Sequence, residues 1–111
     1  MTTDNGSTWT SKGLSGIAVY AIDMNGINLY AATNQNGVKR STDYGYSWFS
    51  TGSFPRICFS LVASGNNVIA GAGGGVFYSS NNGVTWTDYN AGFTTIPGVS
   101  SLFMANNYIF A

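Results

Sequence analysis

The chain contains four carboxylates, Asp4, Asp23, Asp43 and Asp88, and no glutamate or histidine. Two of the four stand in segments of one pattern, "TTDNGSTW" at residues 2–9 and "STDYGYSW" at 41–48; a third copy, "SSNNGVTW" at 79–86, has Asn81 in the aspartate's place. A carboxylate two residues before a glycine can exchange a proton with a substrate, or it can accept hydrogen bonds from the backbone N–H groups of its own turn. The pattern favours the second use. Glycine supplies the positive φ that a Cβ would penalise, and asparagine keeps one acceptor oxygen and with it the turn. A proton-transferring carboxylate would not tolerate that exchange.

The remaining groups offer little chemistry. Acid–base cleavage of a glycosidic bond needs two carboxylates facing one sugar at about 5–10 Å. Asp23 falls at the end of a first strand and Asp88 at the end of a fourth, so nothing brings them together. Cys58 is alone, which excludes an internal disulfide and any C-x-x-C metal spacing; with no histidine to activate it in an apolar run, it reads as a buried, inert thiol. "GAGGG" at 71–75 lacks the lysine and helix of a phosphate loop and reads as a tight strand connection. Lys39 and Arg40 alternate on a strand as a solvated pair. No catalytic residue, metal or cofactor is expected.

Composition sets the frame in which these residues must be held. Of 111 residues only 7% are charged and the net charge is zero, which argues against nucleic-acid or acidic-membrane partners, since both need a dense basic field. Aromatics at 15% and 15 glycines point to short strands joined by tight turns, with helix nearly absent. No apolar run approaches the roughly 20 residues of a membrane helix. "MTTDNGSTW" lacks the basic and apolar segments of a signal peptide, so the sequence leaves the compartment open.

The chain is a repeat. Trp9, Trp48 and Trp86 are 39 and 38 residues apart, and Gly6, Gly45 and Gly83 keep the same step. "IDMNGINLYA", "LVASGNNVIA" and "LFMANNYIFA" align without gaps, setting Ile22, Leu61 and Leu102 at one position. Three extra residues in the last unit fall within "DYNAGFTTIPGVS", where a loop is expected. The units run over about 2–40, 41–78 and 79–111 as a single domain or a fragment of one. In each, two apolar runs split by a turn give the first and second strands, "GVKRS" or "GVFYS" the third, and the segment from the tryptophan the outer fourth. Four short strands per unit at a period near 40 define an all-β chain of propeller blades, three four-stranded antiparallel units with one incomplete.

The pattern S/T-x-D-x-G-x-x-W resembles the Asp-box, the BNR repeat of sialidases, sortilin-type receptors, xyloglucan-degrading enzymes and a photosystem II assembly factor. With its flanking strands the resemblance covers essentially the whole chain. It implies a structural turn between the third and fourth strands of a blade, made by Thr2, Asp4, Gly6 and Trp9, by Ser41, Asp43, Gly45 and Trp48, and by Ser79, Asn81, Gly83 and Trp86. The tryptophan would cover the apolar seam between sheets. A sialidase-like site needs an arginine cluster and a tyrosine activated by glutamate; here stand only Arg40 and Arg56, and no glutamate. A non-catalytic structural or interaction module is therefore expected. The alternative is a fragment of a glycoside hydrolase whose catalytic residues lie outside this chain.

In a propeller the loops from fourth to first strand and from second to third share one face. That face would carry "SKGLSG" (11–16), "TNQNG" (33–37), "STGSFPRI" (50–57) and "NAGFTTIPG" (90–98). Asn34, Gln35, Asn36, Phe54, Arg56 and Phe93 are its candidate ligand residues for glycan or protein, with Phe54 and Phe93 alternatively plugging the core. One third strand is missing at the seam between the chain's ends, the pattern of a fragment, an engineered chain or a truncated gene. Three units leave apolar faces bare at both ends of an open arc, so self-association is expected, a twofold pairing giving six blades. Neighbouring blades of a parent protein are the alternative cover.

Overall fold

In the computed structural model of the chain, the structure describes residues 1–11, 13–35, 37–52, 57–91, 98–99, 101–105 and 108–110. These residues are all-β, with no helix among them. Strands β1 (Val19–Asn25), β2 (Asn28–Thr33), β3 (Val38–Ser41) and β4 (Phe49–Ser50) form one antiparallel sheet in sequential order. Strands β5 (Cys58–Ser64), β6 (Asn67–Ala72), β7 (Gly75–Ser79) and β8 (Thr87–Asp88) form a second in the same order. Strands β9 (Phe103–Ala105) and β10 (Tyr108–Phe110) pair as a third, two-stranded sheet.

Local sequence explains the connections. β1 ends and β2 begins with the pair Asn25–Asn28, leaving a two-residue turn whose first member, Gly26, has φ +61°. Positive φ at the first central position is the geometry of a hairpin turn that matches strand twist. The second sheet repeats it at Ser64–Asn67 around Gly65. A register shift recurs at equivalent places, between Val19 and Ala21 and between Cys58 and Ser60. The two residues so displaced, Tyr20 and Phe59, meet with ring centroids 5.6 Å apart. Within 71–75, Gly73 and Gly74 form the tight β6–β7 connection, with Gly71 in β6 and Gly75 opening β7.

The sheets stack face to face, and the core lies between them. Ala21, Tyr30, Ala32 and Val38 from the first sheet pack with Cys58, Leu61, Val68, Ala70 and Ala72 from the second. Alternation along β6 sends Val68 and Ala70 to this layer and Ile69 to the opposite one, where Ile69 and Val76 meet Val99 and Leu102. Two faces are thus covered on the second sheet, which is why β6 is almost wholly buried. Side-chain hydrogen bonds cross the stack as well. Asp23 Oδ2 accepts from the Ala63 N–H at 2.8 Å, Asn25 donates to the Gly65 carbonyl, and the Tyr30 hydroxyl donates to Asn82 Oδ1 at 3.2 Å.

Two expectations need correction. The outer strand expected after Trp9 does not form: residues 9–11 belong to no ladder, although Thr10 N donates to the Met1 carbonyl and the Met1 amino group to the Thr10 carbonyl, both at 2.9 Å. By the repeat, this pair matches Arg40–Phe49 and Tyr78–Thr87 of the complete sheets. In the complete sheets β3 and β7 carry the fourth strands, and among the described residues no strand lies beside residues 9–11. Nor are Lys39 and Arg40 an idle solvated pair. Both are half-buried: Lys39 Nζ donates to Ser50 Oγ at 2.7 Å, while Arg40 Nε and Nη2 donate to Asn28 Oδ1 with the guanidinium 5.9 Å from the Phe49 ring centroid. The loop expected within "DYNAGFTTIPGVS" falls largely outside the described residues.

Candidate functional site

The three boxes fold alike. In the second, the Ser41 hydroxyl donates to Asp43 Oδ1 at 2.7 Å and accepts from the Gly45 N–H at 2.8 Å, while the Ser47 N–H donates to the same carboxylate oxygen at 2.9 Å and the Ser47 hydroxyl to Oδ2 at 2.5 Å. Thr2, Asp4, Gly6 and Thr8 repeat this network in the first box. In the third, Asn81 Oδ1 accepts from Ser79 Oγ and from the Thr85 N–H, and its Nδ2 donates to Thr85 Oγ1 at 2.8 Å. The amide thus reverses one bond that the carboxylate accepts. Thr8, Ser47 and Thr85 are partners that sequence reading missed, although the signal was present: each repeat carries a hydroxyl residue immediately before its tryptophan.

Electrostatics follow from this geometry. Hydrogen bonds from the Ser47 hydroxyl and N–H, and then from Ser41, hold the Asp43 carboxyl down at about 2; Thr8 and Thr2 do the same for Asp4, also to about 2. A carboxyl depressed below its ordinary value of 3.8 contributes stability that is fully present above that value and is lost as pH falls from about 4 toward 2. Thermal unfolding should therefore shift to lower temperature over that window. Asp43→Asn should shrink the shift, since the third box, with Asn81, has no carboxyl to titrate; melting curves taken from pH 5 to pH 2 check it.

The glycines Gly6, Gly45 and Gly83 have φ of +87°, +88° and +83°, and the residue before each is also left-handed: Asn5 at +56°, Tyr44 at +56° and Asn82 at +58°. Asparagine adopts that conformation at less cost than tyrosine does. Tyr44→Asn should raise stability by about 1 kcal/mol, read as a higher denaturant midpoint at constant slope.

The tryptophans differ in their cover. Trp86 packs against the core and its Nε1 donates to Thr51 Oγ1 at 3.3 Å, with Gly52 lying against its indole. Trp48 has the equivalent neighbour in Gly13 and donates Nε1 to the Gly45 carbonyl at 3.0 Å. Trp9 is 72% exposed.

Elsewhere each group has its own partner. Both oxygens of Asp23 are engaged, Oδ1 with the Met24 N–H and Oδ2 with that of Ala63; Asp88 accepts from the Asn90 N–H at 3.0 Å. Cys58 is buried, its thiol pushed up to about 12 by burial while it donates to the Ser60 carbonyl. Of the candidate ligand residues, Asn36, Phe54, Arg56 and Phe93 lie outside the described residues. Asn34 Oδ1 accepts from the Ala18 N–H at 3.1 Å, closing the start of β1, and Gln35 is exposed. A cleft of about 170 Å³ between the sheets is lined by Arg40, Phe49, Thr51 and Asn82, with the guanidinium already held by Asn28. Among the described residues no three His, Cys, Asp or Glu side chains cluster to hold a metal ion.

The architecture defined by these observations is an all-β chain of repeated antiparallel sheets. No protein-family model and no curated protein matches it. Among solved structures it is similar to one titled as the crystal structure of the computationally designed Ika4 protein, with a TM-score of 0.63 at 17% identity, over 82% of this chain and 57% of that one. The likeness concerns the fold alone.

Proposed function

We propose that the chain is a non-catalytic structural and interaction module whose sheets are blades of an Asp-box-type β-propeller. The observation that carries this reading is that the box side chains direct their acceptors at their own turns. A carboxyl held at about 2 is a poor proton acceptor at neutral pH, and oxygens already bonded within the turn are not available to a substrate. The recurrence of one contact at the repeat spacing, Gly13 on Trp48 and Gly52 on Trp86, supports successive units stacked in a single direction. The module's work is then to present loops to a glycan or protein, and to join other blades through its ends, either in a second copy that completes six blades or in a longer parent.

Incubation with fluorogenic sialosides and glucans tests the absence of catalysis. The expected result is no turnover above the blank. Turnover abolished by Asp23→Asn or Asp88→Asn would contradict the reading.

A further inference from the structure

The first sheet leaves open, at Ile22, part of the face that its repeat covers. Leu61 of β5 is 7% exposed beneath the first sheet, and Val68 and Ala70 beside it are fully buried. Their equivalents one repeat earlier are Ile22, Leu29 and Ala31, of which Ala31 is buried, Leu29 half-buried and Ile22 exposed. Ile22 is 59% exposed, and with Trp9, Leu14, Val19, Leu29 and Trp48 it lines an open groove of about 470 Å³. Among the described residues no charged side chain lines that groove; the one charge there, the Met1 amino group, keeps its hydrogen bond to the Thr10 carbonyl.

The chain itself contains what fits there. Against the second sheet, the equivalent face is filled by β1 and β2, through Ala21, Tyr30 and Ala32. β9 and β10 align with these strands in the last repeat, and among the described residues no sheet lies beyond them. One end of the stack is an empty acceptor face. The other is the strand pair that fills such a face inside the chain.

We propose that the groove lined by Ile22, Trp9 and Trp48 receives β9 and β10 of a second copy of this chain, reproducing between molecules the interface that joins the two complete sheets. This rests on reading the sheets as equivalent stacked units, and it is independent of the absence of catalysis. The contact is head-to-tail, and a twofold pair satisfies both ends of both copies.

Sedimentation and native mass spectrometry of the full chain test it, alongside Ile22→Arg, Val19→Lys and Ile27→Asn. Ile27 is an exposed turn residue outside the groove, and asparagine is what the next repeat carries there. The expected species is twice the 11.7 kDa chain mass. Ile22→Arg, at an exposed position that leaves the β circular dichroism spectrum unchanged, should weaken association by about a hundredfold, because it removes a buried isoleucine and buries an unpaired charge. Val19→Lys should act in the same direction and Ile27→Asn should have no effect. A stable folded monomer, or an assembly that neither groove variant moves, overturns the proposal while leaving the non-catalytic reading intact. Glycan turnover by the dimer would do the reverse.

Discussion

Tyr30→Ala should lower stability by about 3–5 kcal/mol, a large share of the roughly 5–15 kcal/mol that holds a domain of this size together. Tyr30 is fully buried on β2 between the two complete sheets, packed with Val38, Cys58, Leu61 and Val68. Alanine leaves a void that flat, hydrogen-bonded sheets cannot close by shifting one side chain. The hydroxyl plays a smaller part, donating to Asn82 of the third box at 3.2 Å. Burial also raises the phenol's pKa, so it remains a donor under ordinary conditions. Tyr30→Phe should therefore cost only about 1 kcal/mol. Denaturant unfolding separates the two variants; equal midpoints would show that the ring does not sit in a packed layer.

Gly75→Ala should cost about 3 kcal/mol. Gly75 opens β7 with φ +103°, a conformation that strains any residue with a Cβ, and an added methyl would overlap the carboxamide of Asn90. That carboxamide is in use: its Oδ1 accepts from the Val76 N–H at 2.8 Å and its Nδ2 donates to the Gly74 carbonyl at 3.1 Å. Displacing it loses both bonds, each contributing about 1 kcal/mol, in addition to the backbone strain. Hydrogen exchange should accelerate first at Val76 and at Tyr89, whose N–H donates to the Val76 carbonyl. Gly73→Ala provides the contrast. It has neither a positive φ nor a neighbour within 4 Å, and should be nearly neutral.

The strands were legible because their signals are local. Alternating apolar runs around Gly26 and Gly65 mark two hairpins, and the tryptophan spacing marks where each unit begins again. The turn chemistry of Asp43 and Asn81 was legible for the same reason, since their partners lie within four residues. What escaped depends on contacts across strands and between sheets. Asp23 and Asn25 reach Ala63 and Gly65, each 40 residues away, and no property of a single strand announces that. Asn34 looked like a loop amide free for a ligand, yet it closes the neighbouring strand start through Ala18. Arg40 was hidden by the same limit, because Asn28 meets it only across the β2–β3 ladder. The left-handed Tyr44 gave no sign in its own residue type, although its equivalents Asn5 and Asn82 are the residues that favour that conformation.

If the box aspartates hold turns closed rather than act on a substrate, their acceptor oxygens matter more to the fold than their charge. The thermal midpoint of Asp43→Ala measured beside that of Asp43→Asn at neutral pH tests it most directly. Asn81 shows that an amide can bridge the serine before it and the threonine after it, so Asp43→Asn should retain most of the wild-type midpoint. Asp43→Ala leaves the Ser47 N–H and the Ser41 hydroxyl without their acceptor and should melt well below both. Equal midpoints for alanine, asparagine and wild type would contradict that role for the aspartates.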